Sequence, residues 1–203
     1  VKINQHLKPT FFIDSDVESV KEKALGLTEG VKGEKEKAKR IFYFVRDEIK
    51  YNALSPRSSP ETFRASYVLS KREGYCVQKA VLLVALACAA NIPARLRFAE
   101  VRNHLIPRKL LKIRGTNVFA YHGYTDLYIE GMWIKATPTF DLKACQKAGL
   151  IPVEFDGEHD AMVHPYTRDG RHHFEYITDR GYYDDVPFRE IQEASILAKK
   201  SEG

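Results

Sequence analysis

From Ala80 to Ala90 the chain runs eleven residues without a polar side chain. The run is too short for the roughly 18 residues of a membrane span. It reads instead as the body of a helix over VQKAVLLVALACAA, which follows Gly74-Tyr75-Cys76 and is stopped by Asn91 and Pro93. A helix apolar almost all round has no face for water, so other elements must surround it. The rest of the chain therefore has to supply a jacket for one central helix.

The flanking patterns supply that jacket. Ser15 and Glu18 have capping-box spacing ahead of VESVKEKAL. From Glu34, residues Ala38, Ile41, Phe42, Val45 and Ile49 recur at helical spacing. Ser59-Pro60 opens a third helix carrying Phe63, Tyr67 and Val68. After Pro93 the period changes to two. Ala94–Val101 reads as a strand, and Val118–Ile129 turns at Glu130-Gly131 to return as Met132–Thr137. The last third is rich in turns and holds four of the seven histidines, His159, His164, His172 and His173, before a closing helix over 188–199. Helices first and an antiparallel sheet second predict an α+β fold. The expected organisation is one domain over 1–203, with a helical part at about 15–92, a sheet part at about 94–187 and the closing helix.

Composition narrows the function classes. Three cysteines cannot all pair, so free thiols in a reducing, cytoplasmic setting are expected. The opening VKINQHLKPTFFID lacks the basic-then-apolar order of a signal peptide, although the initial Val leaves a removed signal open. The net charge is +5, and no acid lies between Glu100 and Asp126. That basic stretch carries no interleaved stacking aromatics, so it reads as a solvated strand-and-loop edge, with a docking patch as the alternative, and no nucleic-acid partner is expected. There is no CxxC or HxxxH pattern, so neither a metal nor another cofactor is expected. Oligomeric state leaves no signal in the sequence.

Cys76 carries the chemistry to be weighed. At the start of a buried helix its sulfur meets the positive end of the dipole and unsatisfied N–H groups, which favour the nucleophilic thiolate. A small buried core residue is the competing reading. Cys88 lies inside the apolar run, and Cys145 has no base placed near it, so both read as structural. Alternation puts His122, Tyr124, Asp126 and Tyr128 on one strand face. His122 is a candidate base, against the alternative of a satisfied strand histidine.

Three segments together, RIFYFVRDEIKYN (40–52), GYCVQKAVLLVALACAANIPARLRFAEV (74–101) and YHGYTDLYIEGMWIKATPTFD (121–141), resemble the transglutaminase-like superfamily. The tail over 155–187 resembles its bacterial cysteine-protease branch. The resemblance implies a papain/transglutaminase-like core with Cys76 as nucleophile and His122 as base. It also implies an aromatic such as Tyr51 ahead of the nucleophile, with Tyr75 and Trp133 as further residues lining the site. The family's Asp, four residues after the return-strand Trp, is replaced here by Thr137. Asp141, the next carboxylate, is one candidate to orient His122; Thr137 is a second, and neither is the third reading. The implied activity is acyl transfer from a protein or peptide amide through a thioester, by hydrolysis rather than crosslinking. A transglutaminase or acyltransferase, or a non-catalytic binding module on the same fold, are the alternatives.

Overall fold

A computed structural model describes residues 3–200, with side chains through residue 197. The ends of the expected 1–203 domain, residues 1–2 and 201–203, lie outside the described residues. The helical half contains α1 (Glu18–Thr28), α2 (Glu34–Tyr43), α3 (Ala65–Lys71) and α4 (Cys76–Ala89). A wider π-helical turn, Phe44–Glu48, prolongs α2. Two short strands, β1 (Lys50–Tyr51) and β2 (Glu73–Gly74), pair in parallel just before α4. The second half contains β3 (Ala94–Asn103), α5 (Arg108–Arg114), β4 (Val118–Ile129), β5 (Met132–Ala136), α6 (Leu142–Ala148), β6 (Phe174–Tyr183) and α7 (Phe188–Lys200).

The central helix behaves as its composition requires. Every residue of α4 from Cys76 to Cys88 is buried. It is packed by α1, α2 and α3 on one side and by β3 and β4 on the other. Each fully buried Leu or Val on it contributes about 1.5–3 kcal/mol of transfer free energy. Lys79 is the one charged residue within it, and it is fully buried. Its ammonium donates to the carbonyls of Arg46 (3.0 Å) and Ile49 (2.7 Å). These hydrogen bonds tie the first turn of α4 to the π-helical turn and the start of β1. Burial pushes the Lys79 pKa down to about 7.

The four long strands form an antiparallel sheet in the order β5-β4-β3-β6. The hairpin turns where the sequence places it. Glu130 and Gly131 both have positive φ (49° and 91°), the geometry that lets a two-residue turn follow the twist of its strands.

Five local readings are corrected. The Ser15 capping box does not form: α1 begins at Glu18 after Val17, with no side-chain cap. The third predicted helix is two pieces, a 3-10 turn Pro60–Phe63 and α3, separated by an extended Arg64. The basic stretch is not all strand and loop, because α5 occupies its middle and ends at Gly115 (φ 77°). A further helix, α6, follows Asp141. The turn-rich tail contains β6, which covers the open edge of β3.

Candidate active site

The start of α4 is held by its neighbours. Gln78, three residues into the helix mouth, accepts from the Tyr75 N–H (3.1 Å) and donates to the carbonyls of Pro56 (2.9 Å) and Thr62 (2.8 Å). Cys76 is thereby fixed as the first helical residue, and it is 7% exposed. Burial pushes the Cys76 thiol up, while the N–H groups of Gly123 and Val77 work in the opposite direction. Strand β4 can come this close because residue 123 is glycine. A Cβ there would stand 2.8 Å from the Val77 Cα.

His122 precedes that glycine. Along β3 and β4 the register passes from Ala99 opposite His122 to Val101 opposite Phe119. One extra residue of β4 is therefore accommodated just before His122, and such a bulge re-aims side chains. Consecutive residues Val118 to His122 consequently line one cavity of about 240 Å³ together with Cys76. Alternation resumes beyond the bulge: the His122 and Tyr124 rings are 6.3 Å apart and nearly parallel. Aromatic edges of Phe174 (5.0 Å) and Tyr176 (5.9 Å) enclose the imidazole. Burial alone pushes its pKa down to about 3, so the ring is neutral at ordinary pH.

The structure does not join Asp141 to His122. Its Oδ1 accepts from the Ala144 N–H (2.8 Å) and its Oδ2 from the Tyr51 N–H (2.7 Å). Asp141 is the N-cap of α6 and a clamp on β1, and both duties use the oxygens that would have faced the ring. Thr137 is fully buried and donates to the Met162 sulfur (3.5 Å). His122 Nε2 and Thr139 Oγ1 are both buried with no hydrogen-bond partner. Among the described residues no side chain orients the imidazole by a hydrogen bond.

Tyr51 and Tyr75 line the cavity as expected. Trp133 does not. It pairs with Tyr128, six residues along β4 from His122, or about 20 Å at 3.3 Å per residue. There the Trp133 ring packs against Arg95 (4.0 Å), Tyr128 and His6. Cys88 donates to the His6 carbonyl, and burial raises its pKa to about 12. Burial likewise raises Cys145 to about 11. The two arginines of the cavity, Arg57 and Arg114, were not expected there from the sequence. The acid-free run from Arg102 to Arg114 was the available signal, but only the fold turns its last member inward. Asp156, Glu158 and His159 are exposed and cluster closely enough for a cation, and none of them lines the cavity.

The sequence profile of the transglutaminase-like superfamily matches residues 21–138, which include Cys76 and His122. A candidate cysteine protease from Cytophaga hutchinsonii has a similar fold (TM-score 0.53, 23% identity), over 68% of this chain and 42% of that one. The periplasmic domain of TgpA from Pseudomonas aeruginosa is more distant (TM-score 0.44, 18% identity, 60% of this chain and 42% of that one). This chain spans less than half the length of either. No protein of curated function matches significantly. A profile matched over more than half of the sequence, on a helix–sheet core with the cysteine at the helix start and the histidine on the facing strand, makes this chain a member of the transglutaminase-like superfamily.

Proposed function

We propose that the chain catalyses cysteine-dependent acyl transfer on a protein or peptide amide, with Cys76 as nucleophile and His122 as base, and that water is the usual acceptor. The observation that carries this is the shared cavity: a helix-start thiol and a strand imidazole opening on one space, with backbone N–H groups beside the sulfur. Burial favours the uncharged thiol and the uncharged ring. The proton therefore passes from sulfur to imidazole as the sulfur attacks the carbonyl. The C–N bond then breaks as the ring returns the proton to the leaving nitrogen. Water, deprotonated by the same ring, cleaves the thioester and regenerates the thiol. With Nε2 buried, Nδ1 is the nitrogen that serves Cys76. The N–H groups of Val77 and Gly123 are the available donors to the developing oxyanion. The neighbour described as a candidate cysteine protease supports hydrolysis over crosslinking. Three free thiols support a reducing compartment.

Peptide-library digestion read by mass spectrometry, with site mapping of iodoacetamide labelling, tests the proposal. Cleavage should vanish in Cys76→Ala and fall in His122→Gln, and Cys76 should label faster than Cys88 and Cys145. A protein that cleaves nothing and labels all three alike is a binding module on this fold.

A further inference from the structure

Two guanidinium groups enter the cavity that holds Cys76. Arg57 comes from the loop after β1; its side chain is anchored to the carbonyls of Ser55 and Ala53 and lies 4.1 Å over the Tyr75 ring. Arg114 comes from the last turn of α5, half-buried, 4.1 Å over the Phe119 ring. Its Nε is buried and has no hydrogen-bond partner. Burial first, and the positive charge of Arg57 second, hold the Arg114 guanidinium below its ordinary pKa. Among the described residues neither arginine forms an ion pair with a carboxylate. Among the described residues no acid lines the cavity; Glu190 accepts from the Tyr121 hydroxyl at 2.6 Å instead.

Elsewhere in this molecule partly buried arginines find acids. Arg46 pairs with Asp47 and Glu154, and Arg95 and Arg97 share Asp126. The exception is confined to the cavity with the thiol. Confining two unpaired guanidiniums in a half-closed space is unfavourable unless an anion arrives to be shared. A planar fork with several N–H donors fits a carboxylate in two-point contact.

We propose that Arg57 and Arg114 form a carboxylate-recognition subsite, so that the preferred acyl donor is a peptide amide with a carboxylate within about one residue of the scissile bond. The chemistry is shared by an acidic side chain and by a free chain terminus. The inference rests on the acyl-transfer reading for the word donor, but binding of the carboxylate does not require the chemistry.

Two measurements test it separately from that reading. The first is binding to Cys76→Ala by calorimetry, with three acetylated dipeptides: one with a free C-terminal carboxylate, its C-terminal amide, and an amide with an internal glutamate. At least one carboxylate peptide should bind about tenfold tighter than the neutral amide, the size of a charge-assisted hydrogen bond. The preference should disappear in Arg57→Gln and Arg114→Gln proteins that melt as the parent does. Which carboxylate peptide wins identifies the source. The second is the rate of Cys76 alkylation by iodoacetate relative to iodoacetamide. The ratio cancels the thiolate fraction, so a purely electrostatic effect on the thiol leaves it unchanged. It should fall about tenfold in the arginine variants. Equal binding of all three peptides, or a preference and ratio untouched by both substitutions, overturns the subsite. Selective labelling of Cys76 in that case leaves the acyl-transfer reading intact.

Discussion

Gly123→Ala is the smallest change that moves the His122 strand away from Cys76. The added methyl would lie 2.8 Å from the Val77 Cα, 3.2 Å from its Cγ2 and 3.3 Å from its N. Carbon pairs settle at about 3.5–4.0 Å. Two of the three atoms are main chain in the first turn of a fully buried helix, so no rotamer relieves the contact. Strand β4 must retreat by roughly 0.7–1.2 Å from the start of α4. Overpacking of this kind costs about 1–3 kcal/mol. At about 2–4 °C per kcal/mol for a chain of this size, the melting temperature should fall by roughly 2–12 °C. The retreat also withdraws the Gly123 N–H from the Cys76 sulfur. The pH of half-maximal alkylation should then rise, and any turnover should drop on the order of a hundredfold, as for other displacements of about 1 Å. Calorimetric melting and iodoacetamide labelling between pH 5 and 10 read both effects. Gly26→Ala is the control: its methyl meets nothing within 4 Å. A Gly123→Ala protein that melts and labels like its parent would refute the argument that this close approach builds the site.

Asp141→Ala should destabilise the fold by about 1–3 kcal/mol in chemical denaturation, since it removes a helix cap and leaves the Tyr51 N–H unpaired. The pH profile of Cys76 labelling should not move; a shift there would return Asp141 to the site. Lys79→Met should leave the carbonyls of Arg46 and Ile49 without donors and cost about 1–3 kcal/mol for each, measured the same way. The buried His122 has its pKa lowered to about 3, so as pH falls the unfolded chain binds the proton first. Its contribution is whole above about pH 6.5 and declines toward pH 3, at most about 1.4 kcal/mol per unit. The stability advantage of the parent over His122→Gln should therefore shrink by roughly 2–3 kcal/mol between pH 6.5 and 4.5. A pH-independent difference would show that the ring is not buried neutral.

The central helix and the β4–β5 hairpin were legible because each is written in local terms. Eleven apolar residues admit few environments, and Glu130-Gly131 ends one alternating run and begins another. Cys76 and His122 were legible once those two elements had fixed their places. Asp141 was misread because an aspartate at a turn has two common duties. LKACQKA with Gly149 behind it (φ 68°) was the sign that this one caps a helix. The bulge before His122 leaves no trace in an alternating pattern. The inward turn of Arg114 depends on where α5 sits against α7, a tertiary fact that no window of sequence contains.

The absence of a carboxylate behind His122 changes how charge is handled in the site. An acid at the family position would stabilise imidazolium from the far side of the ring. Among the described residues no carboxylate takes that place: Thr137 is engaged with the Met162 sulfur, and Thr139 has no hydrogen-bond partner. Nothing there offsets the burial that holds the ring neutral. Under the proposed roles the compensating charges are instead cations, since Arg57 and Arg114 oppose the burial that raises the Cys76 thiol. Cations beside the sulfur stabilise thiolate, whereas an anion beside the ring would stabilise imidazolium. An incoming carboxylate would neutralise those cations and weaken their hold on the thiolate. The thiol, which burial already holds protonated in the empty site, is then protonated more firmly still, and in the proposed mechanism it gives its proton to the ring only as the sulfur attacks the carbonyl.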